Sequence, residues 1–101
     1  MSDAGDRLFH VRIDFRPDDL PADRRDQVMA DERVRGRALR DQGHLERIWR
    51  VQGGSSSISI WSAPDEARVH ELLAALPIAP WSRFDVFELE RHPLELEAGS
   101  T

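Results

Sequence analysis

One acidic side chain stands where a carboxyl group could transfer protons. Residues 22–42 contain no proline, and Gly43 follows at the position of a helix C-terminal cap, so a long helix is predicted. At about 100° per residue, Glu32 falls between Val28 and Met29, inside the apolar stripe of this helix. A carboxyl group in apolar surroundings has a raised pKa and can serve as a general acid or base. Position alone leaves open an ordinary solvated carboxylate that pairs with Arg35.

The segments around this helix predict the elements that must position Glu32. In residues 8–15, Phe9, Val11, Ile13 and Phe15 share one face, and Leu8, His10, Arg12 and Asp14 share the other, a pattern typical of a half-buried strand. Further strands are predicted at residues 44–51, 55–61 and 83–89, and a second helix is predicted from a cap at Ser62 to Leu76. The order of elements is therefore strand, helix, strand, strand, helix, strand.

This order predicts an α+β fold of the ferredoxin-like βαββαβ type, with one antiparallel sheet and two helices on one face. In the second strand, Leu45, Trp49 and Val51 are expected to share one face. In the third, Ile58 and Ile60 share a face. The other sheet face stays open, and chains of this type often pack sheet to sheet as dimers that enclose a pocket.

The chain of 101 residues is predicted to form a single domain at residues 8–93, with a flexible extension at 1–7 and a tail at 94–101. In the low-complexity run at residues 53–57, GGSSS, Gly53 and Gly54 are predicted to turn a hairpin inside this domain, because glycine accepts the positive φ of such turns, and Ser55 is predicted to begin the third strand. The run is not expected to be a linker.

Composition excludes several classes of function. The chain has no cysteine, which rules out disulfides and thiolate sites, and its net charge of −5 argues against nucleic-acid binding. The polar start resembles neither a signal peptide nor a membrane anchor, so a cytoplasmic protein without membrane association is expected.

Five segments, in order from Leu8 to Pro93, resemble the muconolactone delta-isomerase family. They are residues 8–14 (LFHVRID, the family's opening strand), 46–53 (ERIWRVQG, its W-R-I-x-G), 58–61 (ISIW, its N-I-S-I-F), 72–81 (LLAALPIAPW, its L-L-x-x-L-P-L-F-P-Y) and 91–93 (RHP). The resemblance is carried by the order of these segments.

The resemblance implies a dimeric α+β barrel unit, assembled in the family into a decamer, that uses no metal or other cofactor. It implies an isomerase of aromatic-compound catabolism, in the beta-ketoadipate pathway, that converts muconolactone into 3-oxoadipate enol-lactone. Such a reaction removes a proton beside an unsaturated lactone and returns it two carbons away. Glu32 aligns with the glutamate proposed as the family's acid and base.

The resemblance suggests further site residues. Arg33 replaces a family lysine, and Arg50 belongs to the matching W-R pair, so either guanidinium could bind the substrate carboxylate, although exposed arginines are common. His10 also matches, and could polarise the lactone carbonyl or relay a proton, or be structural. Trp49 and Trp81 could wall a pocket, or pack in the core or an interface.

The chain departs from the family pattern at positions expected to shape the pocket. His44 and Leu45 stand where the family has Lys-Trp, Ser55 and Ser57 where it has Tyr and Asn, and Ser62 where it has Asp. Loss of the family's Trp and Tyr, at Leu45 and Ser55, removes bulk and predicts a pocket that is roomier or differently polar. The expected substrate is muconolactone or a larger, substituted relative. Two alternatives stay open: a non-catalytic, ligand-binding member of the same barrel family, or a cyclase or oxygenase acting on a larger substrate.

Overall fold

The structure contains four strands and two main helices, in the predicted order along the chain. The structure, a computed structural model, describes residues 6–95 of the chain. The elements are β1 (Arg7–Phe15), α1 (Arg25–Asp41), β2 (Leu45–Arg50), β3 (Ser56–Ala63), α2 (Glu66–Ala74) and β4 (Ser82–Leu89), with short 3-10 turns at Pro17–Asp19, Ala22–Arg24 and Ala79–Trp81. The expected flexible extension at 1–7 and tail at 94–101 fall largely outside the described residues.

The strands form one antiparallel sheet in the order β2-β3-β1-β4. This confirms the predicted ferredoxin-like arrangement. The sheet of the single chain is open, and it is not closed into a barrel. Side chains of both helices pack in one apolar cluster against the same face of the sheet. No described element covers the other face.

The core follows from strict alternation in β1. Phe9, Val11 and Ile13 point toward the helices and are buried, while the residues between them point to the open face. Trp61 lies opposite Phe9 in the sheet and is also buried. Side chains of both helices complete this cluster, including Val28, Leu39, Val69, Leu72 and Leu73.

The predicted pattern of β2 is wrong because this strand contains a β-bulge. Leu45 pairs with Trp61, but Arg47 pairs with Ile60, so one extra residue is accommodated between Leu45 and Arg47. The extra residue reverses the alternation. Leu45 is therefore buried under the helices, whereas Trp49 lies on the open face and is 48% exposed.

The start of α2 also differs from the prediction. Ser62 was expected to cap this helix, but it is buried in β3, where it pairs with Leu8 of β1. The cap is Asp65, whose carboxylate accepts a hydrogen bond of 2.8 Å from the backbone N–H of Arg68. Pairing with the neighbouring strand extends β3 beyond the point at which the local sequence suggests a helix start.

The glycine-rich run lies in the connection between β2 and β3. Gly53 has a φ of 91°, and the backbone N–H of Val51 donates to the carbonyl oxygen of Ser56 at 2.9 Å. These features form the predicted hairpin turn. Among residues 6–95, no helix has both the length and the apolar character needed to cross a membrane.

Candidate active site

A cavity of about 360 Å³ lies between α1 and the helix-facing side of the sheet. Its apolar lining comes from Ile13, Phe15, Pro17, Met29, Ile48 and Ile78, and its polar lining from Arg25, Glu32, Arg50, Ser55, Ser56 and Ser57. Apolar walls with a few polar groups are typical of a site that binds a small molecule. The cavity is the candidate active site.

The spacing along α1 places Glu32 in this cavity. Arg25, Met29 and Glu32 are separated by four and then three residues, so they share one face of the helix. Val28 and Leu39 are buried and hold the helix on the sheet. On α1, the residues that face the cavity therefore lie beside the residues that face the core.

The environment of Glu32 favours the protonated form of its carboxyl group. Burial raises its pKa above the ordinary value of 4.5, and the hydrogen bond from the backbone N–H of Ile78 opposes this rise. That bond reaches Oε1 at 3.2 Å. None of the ion pairs among residues 6–95 involves Glu32, so the alternative pairing with Arg35 is not formed.

Three other predicted site residues line the same cavity. Arg50 lies at the end of β2, directly opposite Ser57 of β3, which in turn lies opposite Ile13 of β1. Ser55 precedes β3 and is exposed. The structure thus brings Arg50, Ser55 and Ser57 to the cavity that contains Glu32, and their roles in binding stay predictions.

His10 and Trp49 lie on the opposite face of the sheet from Glu32. His10 is on β1 with its ring centroid 6.1 Å from that of Phe87, which is 60% exposed on β4. The Arg47 guanidinium lies 5.0 Å from the ring centroid of Trp49. Within one chain the sheet separates His10 from Glu32, so the two side chains do not form one site there.

Arg33 and Trp81 also lie away from the cavity lining. Arg33 is exposed on α1, one position past Glu32 and hence turned toward a different side of the helix. Trp81 is partly buried against the core, and the Arg24 guanidinium lies 5.5 Å from its ring centroid. Neither residue is placed to contact a molecule in the cavity of this chain.

Arg25 and Ile78 are the important cavity residues that sequence reasoning missed. For Arg25 a signal was present, because its distance of seven residues from Glu32 corresponds to two helical turns. For Ile78 no local signal exists, since its backbone N–H meets Glu32 only through the path of the loop after α2. Among residues 6–95, no cluster of three or more His, Asp or Glu side chains could share a metal ion.

The cavity therefore combines one carboxyl group of raised pKa with two guanidinium groups and the hydroxyl groups of Ser55 and Ser57. The hydroxyl group of Ser56 instead donates to the carboxylate of Asp14 at 2.6 Å. The carboxyl group can move a proton at a carbon atom, because its pKa is shifted toward neutral pH. The guanidinium groups of Arg25 and Arg50 can attract an anion. These features suit proton transfer on a small, negatively charged molecule.

Comparisons with known proteins show similarity to one family of isomerases. The family model described as muconolactone delta-isomerase matches residues 7–95. Muconolactone Delta-isomerase 1 of Acinetobacter lwoffii is 37% identical over 87 residues, which cover 85% of this chain and 91% of that protein. Muconolactone Delta-isomerase of Rhodococcus opacus is 36% identical over 86 residues, covering 84% of this chain and 92% of that protein.

A solved structure is similar as well. The crystal structure of a muconolactone isomerase aligns with a TM-score of 0.76 at 31% identity, covering 85% of this chain and 91% of that chain. The similarity therefore includes nearly the whole described fold.

Proposed function

This chain belongs to the muconolactone delta-isomerase family, and we propose that it moves a double bond in a small unsaturated lactone through proton transfer by Glu32. Membership makes the protein an isomerase of that family, and a small-molecule substrate follows from it. The proposed substrate is muconolactone or a substituted relative. The proposal rests on one observation: the carboxyl group of Glu32 lies in the cavity, and burial raises its pKa.

In the proposed reaction, one oxygen of Glu32 takes a proton from the ring carbon beside the unsaturated lactone group. The electron pair of that C–H bond moves into the ring system and gives an enolate. The same carboxylic acid then returns the proton two carbons away, so that no atom is gained or lost. The hydrogen bond from Ile78 occupies Oε1 and leaves Oε2 available for the transfer.

The enolate oxygen needs hydrogen-bond donors while it carries negative charge. The hydroxyl groups of Ser55 and Ser57 and the guanidinium of Arg50 line the cavity and can provide them. The small serine side chains also support acceptance of a lactone with an added substituent.

We also propose that the enzyme is a homo-oligomer that uses the open sheet face. Leu8, Trp49, Phe87 and Leu89 are 40–60% exposed there, as expected of an unpaired apolar surface. A second copy covering this face would remove these side chains from water.

Direct assay of the purified protein tests the proposed function. Muconolactone and a series of bulkier butenolides are incubated in D₂O, and isomerisation and deuterium incorporation are followed by NMR. We expect double-bond movement, with deuterium at the receiving carbon in the fraction of turnovers in which the proton held by Glu32 exchanges with solvent before it is returned. Folded protein that neither isomerises nor exchanges any of these lactones would overturn the proposal and favour a non-catalytic, ligand-binding role.

A further inference from the structure

The guanidinium of Arg25 lies in the cavity without a carboxylate partner among residues 6–95. Its hydrogen bond to another described residue runs from Nη2 to the carbonyl oxygen of Pro17, at 3.0 Å. The Nε atom is buried and has no acceptor among these residues. Since a guanidinium has five N–H groups, the bond to Pro17 engages only part of its donor capacity.

The hydrogen bond to Pro17 accounts for only one N–H group of Arg25 and leaves the buried Nε unexplained. A buried donor without an acceptor is unfavourable, because it has lost water and gained nothing in return. Arg25 is also the first residue of α1, where the helix dipole disfavours a positive charge. An anion in the cavity would relieve both costs.

Arg25 is spaced to act together with Glu32. Seven residues correspond to about 10 Å along a helix axis, and helical side chains lean toward the N-terminus, so Glu32 leans toward the turn that carries Arg25. A small lactone with a carboxymethyl arm can contact both side chains when its ring lies at Glu32 and its arm extends toward Arg25. Met29 lies between them on the same face and offers an apolar surface to the ring.

Arg50 is the competing cation, but its surroundings differ. Arg50 is exposed at the end of β2, whereas Arg25 is partly buried. A charge in contact with water attracts an anion less strongly than one in a desolvated site.

We propose that Arg25 is the specificity-determining residue of this site: its guanidinium binds the carboxylate of an acid-bearing lactone and holds the ring against Glu32. This inference rests on the proposed lactone isomerisation and adds the residue that recognises the acidic arm of the substrate. Lactones whose acid group is esterified bind more weakly than lactones with a free carboxylate.

Calorimetric titration tests the assignment without requiring turnover. The probes are a saturated lactone with a carboxymethyl arm, which has no double bond to move, and its methyl ester. We expect Arg25→Met to weaken binding of the acid by about 10- to 100-fold and to leave binding of the ester nearly unchanged. Arg37→Met is the matched control, because Arg37 is exposed on the same helix and does not line the cavity.

Kinetic measurements with an unsaturated acid substrate give a second readout. Arg25→Met should raise KM by a similar factor with a smaller change in kcat. Arg25→Gln retains a donor for the carbonyl oxygen of Pro17, so it serves if the methionine variant does not fold. A folded neutral variant that keeps the wild-type preference for acid over ester overturns the assignment, as does loss of that preference in Arg50→Met alone.

These outcomes are distinct from failure of the proposed function. If the wild-type protein isomerises lactones and the Arg25 variants keep acid preference, only the Arg25 assignment fails. If the wild-type protein isomerises no lactone, the proposed function fails, whatever the calorimetry of the variants shows.

Discussion

The backbone N–H of Ile78 donates a hydrogen bond of 3.2 Å to Oε1 of Glu32, which joins the loop after α2 to the middle of α1. Ile78 is itself buried, so this loop segment is anchored in the core. A carboxyl oxygen can accept this bond whether the group is ionised or carries a proton on the other oxygen. The bond can therefore orient Glu32 throughout a proton-transfer cycle.

Replacing Glu32 by Gln should abolish most of the isomerase activity. The amide has nearly the same shape and can still accept the hydrogen bond from Ile78, but it cannot take a proton. Loss of a general acid or base lowers kcat by about 100- to 10,000-fold. Steady-state kinetics on the best lactone substrate would measure this decrease. Glu46→Gln, which changes an exposed carboxylate outside the cavity, should keep wild-type kcat, and wild-type turnover in Glu32→Gln would exclude Glu32 as the base.

The activity should rise with pH through the raised pKa of Glu32. Only the ionised carboxylate can take the first proton, and burial moves its pKa above 4.5. A profile of kcat/KM against pH should therefore show an ascending limb whose midpoint lies above 4.5. A midpoint at or below that value, for a substrate that does not itself titrate there, would contradict the role of burial.

The same pKa shift should make Glu32 a source of instability as the pH rises. Between 4.5 and its raised folded-state pKa, the folded protein binds more protons than the unfolded chain, so the free energy of unfolding falls with increasing pH. Below this window both states hold the proton, and above it the penalty is constant. Denaturant unfolding of wild type and Glu32→Gln across this window should show a growing advantage of the glutamine variant. A stability difference that does not change with pH would refute the shift.

The fold could be predicted to the extent that residue patterns are local. β1 alternates strictly, and its buried face was identified correctly because residues 8–14 pair with both β3 and β4 without a break in register. In β2 the bulge before Arg47 reverses the pattern, and nothing in the local sequence indicates where the extra residue is accommodated. The assignment of Leu45 and Trp49 to one face failed for this reason.

The part of the site that lies on the single helix α1 could be predicted from the sequence. Glu32 could be selected because its angular position on α1 depends only on spacing, and the same argument applied to Arg25 would have found it. The contribution of Ile48 and Ile78 could not be predicted, because it depends on how β2 and the loop after α2 approach α1. The separation of His10 from Glu32 could be predicted, because both helices were expected on one sheet face and His10 lies between the helix-facing residues Phe9 and Val11.

Removing the hydroxyl group of Ser59 should destabilise the fold. Ser59 is fully buried, accepts a hydrogen bond of 2.8 Å from Nε1 of Trp61, and donates one of 3.2 Å to the carbonyl oxygen of Val11. Ser59→Ala leaves the buried indole N–H without this acceptor, which costs about 1–3 kcal/mol. Chemical denaturation would measure the loss. Ser55→Ala, at an exposed position, should leave the free energy of unfolding nearly unchanged, and equal stability of both variants would contradict the argument.

A charge at Phe87 should dissociate the proposed oligomer. Phe87 is 60% exposed on the open sheet face, close to His10. If a second copy covers this face, Phe87→Glu would bury a carboxylate against apolar side chains, and the cost of removing that charge from water would oppose association. Sedimentation velocity should show a lower association state for this variant than for wild type. Val34→Glu provides the matched control, because Val34 is 65% exposed on α1 and lies away from the sheet face. A wild-type protein that is monomeric at all concentrations, or a Phe87→Glu variant that associates normally, would show that this face is not the interface.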